Sequence, residues 1–142
     1  ERVNTLGYRS GYWSDNGIML TVGEPDDQVR IQAEQQWRVM DVIVREIRPG
    51  MSAKEAYESC QTAIQAEVGY EGAWDCHSIG VDVMEDPWIG IGSQRRESDE
   101  ITFEPNTVIC VEAGSGAEQT FVMGPEKLRA MSTMPQKLHV VK

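Results

Sequence analysis

The sequence predicts an α+β fold: a mostly antiparallel sheet with two helices covering one face. Three observations predict it. Two strand-like stretches, residues 2–8 and 11–22, meet at Ser10-Gly11, which suits a tight hairpin connection. Two amphipathic helical patterns then follow one another across Arg48-Pro49-Gly50. The rest of the chain returns to short apolar runs broken by Gly and Pro. With 142 residues, 40% hydrophobic and 25% charged, the chain is large enough for one domain with its own core.

In chain order, Val3 and Thr5 lead through Gly7-Tyr8 to Gly11-Tyr12-Trp13-Ser14-Asp15, after which Ile18, Leu20 and Val22 alternate with Gly17, Met19 and Thr21. Gly23-Glu24-Pro25-Asp26-Asp27 is a helix start, because Pro is tolerated in the first turn and acids favour the positive end of the helix dipole. Val29, Ala33, Trp37, Met40, Val44 and Ile47 recur at helical spacing and read as a core stripe, ended by Arg48-Pro49-Gly50. Ser52-Ala53-Lys54-Glu55 is a capping box, and Ala56, Tyr57, Cys60, Ala63 and Ile64 give its helix an inner face that Gly69 closes. Residues 70–76 read as a connection. A strand through His77 follows, with Ile79, Val81 and Val83 on one face and Ser78, Gly80, Asp82 and Met84 on the other, up to an acidic turn at Glu85-Asp86-Pro87. Residues 88–100 read as a polar loop, either solvated or a lid over a cleft. Glu104-Pro105-Asn106 is a turn, residues 107–112 a strand ending in Glu112, and residues 116–123 a return strand carrying Glu118. Residues 124–128 read as a turn with a short helical step, and 138–141 as an edge strand.

The net charge of −10 repels phosphate backbones, so nucleic acid is not an expected partner. No apolar run is long enough to span a bilayer, and residues 1–10 are polar and mixed, unlike a secretory leader. Cys60, Cys76 and Cys110 are an odd number at wide spacing with no CxxC pair, which points to a reducing compartment and a cytoplasmic location. Cys110, within Val108-Ile109-Cys110-Val111, reads as core.

His77 is one of two histidines. Among branched apolar residues it is either a satisfied core histidine or a ligand in a dry cleft. Asp15, Glu112 and Glu118 lie on or beside strands near Gly-containing turns. Water is the ordinary neighbour of each acid taken singly. If several converge, their repulsion requires a cation, and carboxylates with one imidazole suit Mn, Fe, Co or Zn better than Ca or Mg.

The order of elements and several local words resemble the creatinase/prolidase/methionine aminopeptidase superfamily. Gly11-Tyr12-Trp13-Ser14-Asp15 is similar to its Gly-Tyr-x-x-Asp hairpin, and Arg48-Pro49-Gly50-Met51-Ser52-Ala53-Lys54-Glu55 to its Arg-Pro-Gly-x-(Ser/Thr)-x-x-Glu helix junction. His77-Ser78-Ile79-Gly80 with Glu85-Asp86-Pro87 resembles its His-x-x-Gly…His-Glu-x-Pro segment. Residues 104–112 resemble its Pro-Gly-Met-Val-x-x-x-Glu strand, and Glu118 with Gly124-Pro125-Glu126-Lys127-Leu128 its final Glu strand. The resemblance implies the C-terminal half of a pita-bread fold, with a curved sheet, and makes residues 1–142 part of one catalytic domain whose upstream half is missing. It implies metal ligands at Asp15, His77, Glu112 and Glu118, with His77 and Glu112 also catalytic, and no organic cofactor. The sequence departs from the pattern in three places. Asn4 stands where the first metal Asp is expected, Met84 where a second His is expected, and no Arg follows Asp15. Creatinase, a metal-free C–N hydrolase of the superfamily, is similar to this chain at Val3-Asn4-Thr5 and His77-Ser78 but lacks an acid at the Asp15 position.

The implied function is hydrolysis of a C–N bond, in an amide, amidine or Xaa-Pro-like peptide, by a metal-assisted, degenerate site. The implied ion is Mn, Fe, Co or Zn, with manganese foremost, and a single ion or none because of Asn4. The alternative is an inactive pseudoenzyme serving as a binding or scaffold module. The implied partners are a small-molecule or short-peptide substrate, the upstream half of the domain, and a second copy in a homo-oligomer such as a dimer.

Overall fold

The computed structural model describes residues 2–90, 100–114 and 116–142. Strand β1 (Arg2–Arg9) turns at Ser10-Gly11 into the long strand β2 (Tyr12–Val22), and the two pair antiparallel along their length, from Arg2↔Met19 to Arg9↔Tyr12. Both turn residues have positive φ, 54° at Ser10 and 90° at Gly11, which the hairpin requires and Gly supplies without steric cost.

Helix α1 (Asp27–Glu46) begins where the Asp26 carboxylate accepts the Val29 N–H at 2.9 Å. Its buried face, Ala33, Trp37, Val39, Met40, Val42 and Ile43, is wider than the stripe read from spacing, because it meets both the sheet and the second helix. Val29, assigned to that stripe, is instead 38% exposed, one turn before the helix reaches the core. Helix α2 (Ala53–Glu67) opens on the expected capping box: Ser52 and Glu55 satisfy one another's backbone N–H groups. Gly69, with φ 62°, closes it by donating to the Ile64 carbonyl.

Strands β3 (Trp74–Ser78), β4 (Glu85–Gly90), β5 (Val108–Ala113), β6 (Ala117–Met123), β7 (Leu128–Ala130) and β8 (His139–Val141) complete the chain. The sheet order is β1-β2-β6-β5-β3-β4, with β7 on β6 and β8 on β2. The described pairings are antiparallel except that of β8 with β2. This is the α+β architecture expected, an open sheet with both helices on one face. The core under the helices joins Trp37, Met40 and Ile43 to Cys60, Ile64, Trp74, Cys76, Ile109, Val111 and Phe121. No helix among the described residues is long and apolar enough to cross a membrane.

Four local expectations are corrected. Residues 74–76 belong to β3 rather than to a connection, since they pair with Val111 to Ala113 of β5. The strand through His77 ends at Ser78, where its register with β4 shifts, so the alternation read to Met84 does not hold: Ile79 is buried and Val81 is 66% exposed. A tight turn takes over there, with Gly80 N–H donating to the Asp82 carbonyl and Glu85 accepting from the Asp82 N–H at 2.7 Å. Glu85-Asp86-Pro87 and Trp88–Gly90 form β4, not a turn and the start of a loop; residues 91–99 of that loop lie outside the described residues. The helical step placed at 124–128 is a bend into β7, because Leu128 pairs with Met123.

Ile43 is fully buried at the junction of both helices with the sheet, whereas Ile31 on the same helix is 56% exposed. Ile43→Ala is expected to cost about 2–5 kcal/mol and Ile31→Ala no more than about 0.5 kcal/mol, as read by urea unfolding of the intact protein.

Candidate metal centre

Alternation assigns the two faces of the sheet. Cys76, Ile109, Val111, Ala113, Ala117, Phe121 and Met123 belong to the apolar cluster under the helices. Cys110, Glu112, Glu118 and Thr120, which alternate with them, point the other way. On that second face two neighbouring rows of cross-strand partners hold the charged groups. The first row runs Asn4–Gly17–Glu118–Glu112–Asp75. In the second, Leu6 pairs with Asp15, Thr120 with Cys110, Cys110 with His77, and His77 with Trp88. Asp15 joins Thr120 through hydrogen bonds: its N–H donates to Thr120 Oγ1 at 3.1 Å, and the hydroxyl donates to its carbonyl at 2.5 Å.

These rows bring the sequence-selected residues together. Asp15, Cys110, Glu112 and Glu118 each place one ligand atom within 4.8 Å of the others. His77, Cys110 and Glu112 form a second group by the same measure, so Glu112 and Cys110 are common to both. His77 meets the carboxylates through Glu112, with Nε2 at 3.5 Å from Oε1, rather than meeting Asp15 and Glu118 in one group. Asp15, His77 and Glu118 are buried, and the Glu112 side chain is 20% exposed. Met84 is exposed, on the segment after β3.

Gly17 sets the approach of β2 to β6. A Cβ there would lie 2.9 Å from both Cβ and Oε2 of Glu118 and 3.1 Å from Oδ1 of Asn4. The missing side chain therefore lets the Asn4 amide and the Glu118 carboxylate converge over it.

His77 Nδ1 lies 2.9 Å from the Ser78 carbonyl. A carbonyl only accepts, so Nδ1 carries hydrogen and Nε2 is the nitrogen presented to Glu112. Burial is the largest single influence on the imidazole and pulls its pKa down. The Glu112 side chain, the Ser78 carbonyl and the charges of Asp75 and Glu112 together outweigh it, and the value is raised. Trp88 closes the outer side of the ring in an edge-on contact, centroids 6.2 Å apart. Burial first, then Glu118, Glu112 and Asp15, push the Cys110 thiol far up, so it stays protonated in the metal-free protein.

The donor set fits a divalent ion. Three carboxylates share a site less than 5 Å across, and Asp15 Oδ1 is buried without a hydrogen-bond partner among the described residues. Such a group is costly unless something cationic completes it. Reasoning from sequence missed Cys110, Thr120, Asp75 and Trp88 as neighbours of this centre. The signal for Cys110 was its position two residues before Glu112 on one strand, which puts both on one face.

The profile of metallopeptidase family M24 matches residues 4–131. An uncharacterized peptidase of Bacillus subtilis, YqhT, is 28% identical over 138 residues, covering 94% of this chain and 39% of its own length. This chain thus spans about two fifths of that relative's length. Among solved structures, the Xaa-Pro dipeptidase from Bacillus anthracis superposes with a TM-score of 0.79 at 22% identity, over 99% of this chain and 41% of its own. Dipeptidase PepE from Mycobacterium ulcerans gives 0.76 at 23%, over 99% and 39%. The likeness shows that the fold is of the pita-bread type.

Two outcomes follow from the geometry. In metal-free protein, an NMR titration should give His77 a pKa above the ordinary 6.5, and Glu112→Gln should lower it. With a raised folded value, the stability His77 contributes is complete below about pH 6.5 and is lost as pH rises through the folded pKa. Gly17→Ala should push Glu118 aside and weaken divalent-ion binding, as measured by calorimetric titration, with the fold retained by circular dichroism.

Proposed function

Because the chain belongs to metallopeptidase family M24, we propose that it forms the metal-holding part of a hydrolase that cleaves a C–N bond in an Xaa-Pro-like peptide or similar small amide. The observation that carries the reading is the convergence of Asp15, Glu112 and Glu118 within 4.8 Å, with His77 joined to them through Glu112. When bound, a divalent ion supplies Lewis acidity: it lowers the pKa of a coordinated water and polarises the scissile carbonyl. Asp15, Glu112 and Glu118 would hold it by carboxylate oxygens, and His77 would add Nε2 from the adjoining group it forms with Glu112 and Cys110, the Ser78 carbonyl orienting that nitrogen from the opposite side of the ring. Glu112 touches both donor groups and is the least buried of the three acids, which suits it to take the proton of the attacking water and pass it to the leaving nitrogen. Asn4 ends the first row with a neutral amide, so a single ion is favoured over a pair.

The rest of the reading rests on exposed surface and composition. Val3, Leu6, Tyr8 and Tyr12 are exposed on the edge hairpin, as is Val81 beyond β3. They support cover by a further segment of the pita-bread domain or by a second copy of the chain. Cys60, Cys76 and Cys110 are free and buried, in keeping with a reducing compartment such as the cytosol. Asn4 and the exposed Met84 favour one competing reading, a scaffold module that retains the fold without turnover.

Metal analysis and assay of the intact protein on Xaa-Pro dipeptides separate the two. The hydrolase reading expects a stoichiometric divalent ion that His77→Ala removes, and a fall in kcat of about 10²–10⁴ in Glu112→Gln. If neither metal content nor turnover depends on His77 or Glu112, the scaffold reading stands.

A further inference from the structure

We propose that Cys110 is itself a ligand of this centre, a thiolate donor that turns its preference toward zinc, cobalt or iron and away from manganese. The inference rests on the metal-site reading above and adds one donor to it.

The three cysteines differ in surroundings. Cys60 and Cys76 belong to the apolar cluster under the helices, and Cys110 does not. Cys110 lies on β5, the strand between β6 and β3, and has Thr120 on one side and His77 on the other. Its Sγ is within 4.8 Å of a ligand atom of Asp15, Glu112 and Glu118 in one group and of His77 and Glu112 in the other. It therefore stands at the seam between the carboxylates and the imidazole. The hydrogen bond it makes is a long one to the Asp15 carbonyl, 3.7 Å, which leaves the sulfur lone pairs available.

A second observation points to a cation at the same place. Asp15 is 7% exposed, and its Oδ1, buried with no hydrogen-bond partner among the described residues, belongs to the carboxylate of that donor group. Donor type supplies the reason for a thiolate there: the other groups at this place are three carboxylates and one imidazole, all harder donors than sulfur. On binding, the S–H bond breaks, the sulfur electron pair goes to the metal and the proton to solvent. Thiolate is a soft donor, and softness discriminates zinc, cobalt and iron from manganese and magnesium.

The test is spectroscopic. Metal-free intact protein is titrated with cobalt(II), as wild type, Cys110→Ser and Cys60→Ala. Wild type and Cys60→Ala should develop an intense thiolate-to-cobalt charge-transfer band in the near ultraviolet. Cys110→Ser should lose that band and keep the weak visible ligand-field bands. X-ray absorption at the zinc edge of the wild-type protein decides the matter without a variant: a sulfur neighbour at about 2.3 Å is expected. Bound metal with only nitrogen and oxygen neighbours, or a charge-transfer band that survives in Cys110→Ser, overturns this inference and leaves the metal-site reading intact. Failure of wild-type protein to bind either ion overturns both.

Discussion

Glu112 and Glu118 are direct cross-strand partners on adjacent strands. Like charges in that position are destabilising even where water reaches them. Here Glu118 is 1% exposed, and Asp15 brings a third carboxylate to the same place. Nothing in packing alone rewards this arrangement, because two apolar residues would make a better sheet. It is intelligible as a receptor for positive charge, and the neighbouring imidazole, with Nε2 turned inward, completes a donor set that transition metals favour.

The remainder of the fold holds that repulsion in place. One face of the sheet is closed by α1 and α2, with Ile43, Ile64, Trp74 and Ile109 among the fully buried side chains. The stability drawn from that face lets the other carry acids. Strand β2 ties the centre together: it pairs with β1, meets β6 at Gly17↔Glu118, accepts β8 alongside Leu20 to Val22, and reaches the segment after β3 through Trp13 N–H and the Gly80 carbonyl at 2.8 Å. Asp15 lies between these anchors, so its carboxylate is positioned by backbone pairing rather than by a flexible loop.

The helices, the hairpin and the strands carrying Glu112 and Glu118 were legible because each has a strong local signal. Ser10-Gly11 makes a turn, Ser52 and Glu55 cap a helix, and Arg48-Pro49-Gly50 ends one. The segment from Ile79 to Met84 was misread because its apolar alternation mimics a strand, while the bonds that fix its actual course come from distant parts of the chain, Ile79 N–H to the Val108 carbonyl and Trp13 N–H to the Gly80 carbonyl. β7 was missed for a related reason: three residues have no periodicity, and only pairing with β6 makes them a strand. Asp15, His77, Glu112 and Glu118 were chosen by type and by motif, yet their meeting depends on the register across four strands, which no local pattern encodes. Cys110 was set aside because an apolar run hides which face of the strand each member occupies.

That register has a consequence for how the chain avoids folding wrongly. A sheet whose two faces were both oily would tolerate a strand sliding by one residue. Here a slip of β6 against β5 would drive Glu118 beneath the helices, among Ile43, Ile109 and Val111, and lift Phe121 into the acidic face. A carboxylate stranded in that oil costs several kcal/mol or surrenders its charge. The acids thereby proofread strand alignment during folding, rejecting offset pairings that hydrophobic collapse alone would accept.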